Sequence, residues 1–316
     1  MTIPGDISSR LDAELTPGFS AQPAPQGPPS VTASRQRLRQ AIQALSAAVT
    51  PGEDVVVTDM KMPGSPAVPV RVFAPRQRRS GAVLMWIHGG GFIAGEHEDD
   101  GLFAIPLVRE LGCTVASVGY RKPPESPYPA ATDDCYAALR WLAGPTLPLG
   151  FVPDKLAVGG ISAGGCLAAA TALRARDEKG PALCFQLLLI PVIDNRHATP
   201  SMDEVRDPRC WNRNSSLAAW EMYLGKDFLG EVPPYASPAR AKDLSGLPPA
   251  YVDVAEVDVL RDEAIDYAAR LMQAGVRTEL HVYPGAYHGS AYFQPYAGIS
   301  QRSRADTAAA LKRAFA

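Results

Sequence analysis

Gly160, Ile161, Ser162, Ala163 and Gly164 form a G-x-S-x-G sequence between an apolar run and an alanine-rich stretch. The run at 155–161 reads as a strand and 163–180 as a helix. A serine on such a strand-to-helix turn is held in a strained backbone, with its hydroxyl exposed above the sheet. Cβ atoms at 160 and 164 would collide across the turn, which explains the two glycines. The helix start also aims N–H groups and the positive end of its dipole at the serine. A plain helix-capping role would explain Ser162 but not both glycines. The chemistry available is nucleophilic attack by a serine hydroxyl, which needs a neighbouring base.

Three histidines follow Ser162: His197, His281 and His288. His281 falls inside the apolar strand-like run "ELHVYP", and His197 in a stretch that breaks the regular pattern. His288 follows the last predicted strand, in "PGAYHGS", where small residues and a turn can project it over the sheet edge. It is the expected base. A neutral imidazole is needed to take the proton, so activity is expected to fail in acid, below the ordinary imidazole range of ~6.5. The carboxylate that orients it belongs after the preceding strand, where "VAEVDVLRDEAIDY" offers Glu256, Asp258, Asp262, Glu263 and Asp266. Asp262 and the acids beyond it fall on a helix whose buried face is set by Leu260, Ala264, Tyr267 and Leu271. Asp258 stands at the strand-to-helix junction and is the expected partner, with Glu256 as backup. A simple N-cap role for Asp258 is the competing reading.

Attack on a carbonyl creates an oxyanion, which fixed donors must stabilise. Residues 88–92 read "HGGGF", directly behind the strand-like run "AVLMWI". Three glycines in a row are entropically costly, but they let backbone amides approach a substrate with no side chain intervening. A second donor is the N–H after the nucleophile, that of Ala163.

The elements that must position these groups follow a regular order. A short first helix and a second at about 33–48 flank a Pro- and Ser-rich connection at 16–31, which reads as irregular. "VVVTDMKMP" and "PVRVFAP" read as an antiparallel hairpin. Apolar strands then alternate with helices to the end of the chain, which predicts a mostly parallel sheet covered on both faces. Residues 196–245 interrupt the alternation with Trp211, Trp220, Tyr223 and several prolines, and read as an insertion over the C-terminal edge of the sheet.

Composition narrows the class. The chain has 316 residues, of which 46% are apolar and 20% charged, enough for a sizeable core. The net charge of −2, with "RQRR" at 76–79 the one basic run, argues against nucleic acid as a partner. Five scattered cysteines without a C-x-x-C pair read as buried thiols in a reducing compartment. The polar, acidic start "MTIPGDISSRLDAEL" does not read as a signal peptide. No apolar stretch reaches the ~20 residues of a membrane helix. A cytoplasmic protein is the expectation.

Five segments in this order resemble one family: "HGGGF", "YRKPPESPYPAATDD" at 120–134, "GISAGG" at 160–165, "DVLRDE" at 258–263 and "YPGAYHG" at 283–289. Together they are similar to the hormone-sensitive-lipase-like branch of the α/β-hydrolases, the bacterial carboxylesterases, over roughly residues 35–316. The resemblance implies an eight-stranded, mostly parallel α/β sheet flanked by helices and carrying a helical cap. It divides the chain into cap helices at 1–50, core at 51–195, a cap insertion at 196–245 and core at 246–316. It implies a triad of Ser162, Asp258 and His288 and an oxyanion hole of the Gly90, Gly91 and Ala163 amides, with Gly89 beside them. It implies hydrolysis of esters of short or medium acyl chains without a cofactor, with room for bulky, even tertiary, alcohols beside the open glycine loop. A homodimer through the edge strand "TELHVYP" also follows from it. Phe92, Ile161, Trp211, Trp220 and Tyr223 are candidate pocket walls, the last three equally readable as cap core. Ile161 stands where the family has Asp or Thr, Ser290 where it has Phe, and "YRKPPE" replaces "YRLAPE" while keeping Tyr120, Arg121 and Glu125. An amidase, arylformamidase or lactonase could use the same triad, because fold does not fix substrate. A small-molecule receptor is the non-enzymatic alternative, which the retained His288 argues against.

Overall fold

The computed structural model describes the chain apart from residues 1–4, 23, 25–29, 47–48, 65 and 145–154. Eight strands form one sheet in the order β1-β2-β4-β3-β5-β6-β7-β8. They are β1 (Val55–Met62), β2 (Val68–Pro75), β3 (Ala82–Ile87), β4 (Thr114–Val118), β5 (Lys155–Ile161), β6 (Phe185–Leu189), β7 (Ala250–Val257) and β8 (Thr278–Tyr287). β2 pairs antiparallel with both β1 and β4, and all later neighbours are parallel.

The helices are α1 (Thr16–Ser20), α2 (Val31–Ser46), α3 (Gly101–Leu111), α4 (Ala130–Leu142), α5 (Ala163–Asp177), α6 (Ser201–Glu204), α7 (Arg213–Leu224), α8 (Arg261–Gln273), α9 (Ser290–Phe293) and α10 (Gly298–Phe315). The expected alternation is present, because each short apolar strand is sandwiched between helical layers. Along β3, Val83, Met85 and Ile87 enter one core with residues of α4, α5 and α8, while Leu84 and Trp86 enter a second core with residues of α3 and α10. The strand period of two therefore splits one apolar run between two interiors.

Local differences from the expectation have simple causes. Residues 16–20 are helical, not irregular, since Pro17 sits in the first turn, where a missing N–H costs nothing. β6 stops at Leu189, because Ile190 turns to a positive φ of 40°. Cys113, Cys135, Cys166 and Cys210 are buried as expected, whereas Cys184 is half-buried. Among the described residues no helix is long and apolar enough to cross a membrane.

The strand order itself locates a site. From β3 the chain passes to β4 on one side, then returns past β3 to β5 on the other. Loops leaving neighbouring strands at such a reversal diverge and leave a crevice at their C-terminal ends. The glycine loop leaves β3 there, and Ser162 leaves β5.

Candidate active site

Ser162 sits between β5 and α5 with φ 57° and ψ −119°, a conformation that a non-glycine residue rarely adopts. Its N–H donates to the Leu189 carbonyl at 2.8 Å, and its own carbonyl accepts from Val192 N–H at 3.0 Å. These bonds tie the strained turn to the neighbouring strand. A Cβ at Gly164 would run into the carbonyls of Ile87 and His88, and one at Gly160 into the Gly164 carbonyl. Both glycines are needed for the sharp turn.

Ser162 Oγ lies 3.0 Å from His288 Nε2, and His288 Nδ1 lies 2.7 Å from Asp258 Oδ2. Asp258 is almost fully buried, and its other oxygen accepts from Leu260 N–H at 3.0 Å. The carboxylate thus serves the histidine and the turn before α8 together; the N-cap of α8 is Leu260, with no side-chain cap bond, so the N-cap reading of Asp258 does not hold. Glu256 points elsewhere: Oε2 accepts from Gly285 N–H at 2.7 Å, beside the irregularity between β7 and β8 at 255–257. His281 pairs with Glu279 on β8, and buried His197 lies 3.1 Å from Ser216 Oγ. Neither is near Ser162 in its hydrogen bonding.

The glycine loop is held from several sides. His88 Nδ1 donates to the Gly89 carbonyl at 2.8 Å, its ring stacks on Tyr120, and the Tyr120 hydroxyl donates to its carbonyl at 3.1 Å. Burial pushes the His88 imidazole down to about 3, so it stays neutral. Lys122 Nζ donates to the Gly95 carbonyl and to Glu96, both at 3.0 Å. Arg35 of α2 donates to the Ile93 carbonyl at 2.7 Å and forks onto Glu125. Sequence reasoning missed Arg35 and Lys122, since a lone basic residue carries no motif.

Gly90 and Gly91 have φ of 120° and 59°. A Cβ on Gly90 would strike the Ala94 carbonyl, and one on Gly91 would lie 2.6 Å from the Trp211 ring. Gly90 is therefore required for the loop's own packing as well as for open amides. Gly90→Ala is expected to cut turnover by about 10²-fold or more, the scale of losing an oxyanion donor, because the methyl would push the loop's amides out of place. It should also lower the melting temperature, because the methyl meets backbone and not a movable side chain. Kinetics and thermal melting on one preparation check both.

A cavity of about 760 Å³ covers Ser162 and His288, within the size range of small-molecule sites. Leu38, Ala41 and Ile42 of α2 line it opposite the glycine loop. Two of the candidate pocket residues, Ile161 and Trp211, are on its wall, and the Trp211 ring lies 6.0 Å from that of His288. Phe92, Trp220 and Tyr223 are not on that wall, which corrects the expectation for Phe92 and decides Trp220 and Tyr223 for the core reading. Phe92 is fully buried and stacks on Tyr223 at 4.0 Å with Trp220 beside them. They fasten the end of the glycine run to α7, since large aromatics contribute most when fully buried.

Asp100 borders the same cavity and is buried, accepting a short hydrogen bond from Ser117. Burial raises its carboxyl from 3.8 to about 7. The folded protein therefore holds this proton where the unfolded chain has lost it, and stability falls as pH rises from about 4 to 7. Asp100→Asn should melt several degrees above wild type at pH 8 and converge with it near pH 4, as measured by thermal melting across pH.

The model of the alpha/beta hydrolase fold family matches residues 84–292. The chain belongs to this family, in its hormone-sensitive-lipase-like carboxylesterase branch. It is 39% identical over 252 residues to the carboxylesterase NlhH of Mycobacterium tuberculosis, covering 78% of this chain and 79% of that one. It is 38% identical over 246 residues to an arylesterase of Saccharolobus solfataricus, covering 77% and 80%. Among solved structures, a bacterial heroin esterase superposes with a TM-score of 0.91 at 39% identity, covering 98% of this chain and all of that one.

Proposed function

We propose that the protein hydrolyses short- to medium-chain carboxylic esters through an acyl-enzyme on Ser162. Carboxylic ester hydrolysis is the chemistry of the branch to which the chain belongs. The observation that carries the assignment of residues is the unbroken chain from Ser162 Oγ through His288 to buried Asp258.

In this reading Ser162 Oγ bonds to the ester carbonyl carbon while its proton passes to His288 Nε2. Asp258 holds the proton on Nδ1 and stabilises the imidazolium. The new oxyanion faces the Gly90, Gly91 and Ala163 amides, the last at the first residue of α5. Collapse expels the alcohol, which takes the proton from Nε2. Water, deprotonated by the same nitrogen, then releases the acid and restores Ser162. An activated diethyl phosphate ester should add one diethylphosphoryl group to wild type on the peptide carrying Ser162. Mass spectrometry checks this, and labelling at another residue would overturn the assignment. A parallel panel of esters, anilides and lactones tests ester preference.

Residues 1–50 and 196–245 act as the cap, a reading supported by α2 and Trp211 on the cavity wall. A dimer through β8 is supported by its place at the sheet edge. Elution at the monomer mass in gel filtration would remove it. The buried thiols support a cytoplasmic location, which fractionation of the source cells would test.

A further inference from the structure

The cavity over Ser162 shares a wall with a second one of about 270 Å³, set between α3 and α10. Its lining is mostly apolar and includes Phe103 from α3 and Ile299 from α10. Ile161, Ile190, Tyr287, Gly289 and Tyr292 line both cavities. The partition is thus built from the residue before Ser162, the turn after β6 and the residues around His288.

The partition is held in a definite shape. Ile161 packs with the core on the α3 and α10 face, as the alternation along β5 requires. Ile190 has φ 40°, a strained value for a β-branched residue. Its N–H donates to the Asp253 carbonyl at 3.0 Å and to Asp253 Oδ1 at 2.9 Å. Asp253 Oδ2 in turn accepts from Ser303 Oγ of α10 at 3.1 Å. A strained residue thus lies on the wall that the two cavities share. An engineered apolar void of about 150 Å³ takes up benzene, so this cavity has room for a ring or an alkyl chain.

The end of the ester that enters follows from the proton path. His288 Nε2 must hand its proton to the leaving oxygen, so the alcohol portion lies on the His288 side of Ser162. Tyr287 and Gly289 flank His288 in the chain, and Tyr292 follows in α9. We infer that the cavity between α3 and α10 receives the alcohol portion of the ester, an alkyl or aryl group, and that Ile161 governs its entry. This rests on the reading of Ser162 and His288 given above.

The test compares two ester series on the full chain. Methyl to octyl acetates vary the alcohol, and methyl acetate to methyl octanoate vary the acyl group. Ile161→Ala should raise the ratio of kcat/KM for octyl over methyl acetate about tenfold, and Ile299→Trp should lower it about tenfold, the scale of a few methylene contacts. The ratio of methyl octanoate to methyl acetate should move by less than about twofold in both, because the acyl group lies elsewhere. Each ratio is internal to one preparation, so partial destabilisation does not alter it. If Ile161→Ala does not fold, Ile299→Trp decides alone, and a milder Ile299→Phe replaces it if needed. An unchanged alcohol ratio, or a shift confined to the acyl series, overturns the inference and leaves the Ser162 assignment standing. Failure of wild type to hydrolyse either series would remove that assignment, and this inference with it.

Discussion

Ser162→Ala lowers turnover of p-nitrophenyl butyrate on the order of 10⁴-fold or more, the scale seen when a serine nucleophile is removed. Almost nothing else changes. The Ser162 side chain makes no capping bond to α5, and its backbone ties to Leu189 and Val192 do not involve the hydroxyl. Alanine also meets the same cost as serine at φ 57°. The melting temperature should therefore stay within a couple of degrees of wild type, since no buried contact beyond the 3.0 Å bond to His288 is lost. Rates and melting on matched preparations check both halves. Equal esterase rates in the two proteins would sink the assignment of the nucleophile.

Asp258→Asn is the second large effect, and its direction follows from the two bonds the carboxylate makes. Leu260 N–H donates to Oδ1, so the carbonyl oxygen of an asparagine must occupy that place. Its amide NH₂ then faces His288 Nδ1, where Oδ2 stood at 2.7 Å. An NH₂ donates, so Nδ1 must accept and the ring proton moves to Nε2. With its proton on Nε2, the ring no longer accepts from Ser162 Oγ. The expected loss is about 10⁴-fold in kcat at pH 7, with KM little affected. The asparagine keeps the turn at the start of α8, so thermal melting should barely move. A loss confined to stability would instead mean that Asp258 serves only that turn. Glu256→Gln is a useful contrast, because that side chain holds Gly285 and not His288.

Much of this was legible in the chain. The strand-to-helix turn at Ser162, the order serine, aspartate, histidine, and the glycine loop behind β3 are local patterns. Each is imposed by constraints a few residues long: a Cβ that would strike a carbonyl, a turn after a strand, an amide that must stay uncovered. Such constraints are written in consecutive residues, so they can be read without the fold. The alternation of apolar runs similarly specified the layers, because a strand buried on both faces must be apolar throughout.

The tertiary structure decided what depends on residues distant in sequence. Phe92, Trp220 and Tyr223 are aromatics fit for a pocket or a core, and only packing shows Phe92 stacked on Tyr223 with Trp220 tilted against both. Trp211, of the same kind, stands over Gly91 instead. Arg35 reaches the glycine loop from fifty-eight residues away, a contact no spacing rule encodes. Ile161 gave no sequence signal beyond its place before the nucleophile, yet it separates two cavities. The sharp turn at Ser162, the order of serine, aspartate and histidine along the chain and the layered sheet were determined by the sequence by itself, since short-range sterics and burial fix them. Which side chains line the cavity was decided only in three dimensions, because its shape is set by how α2, the segment at Trp211 and α9 converge over Ser162.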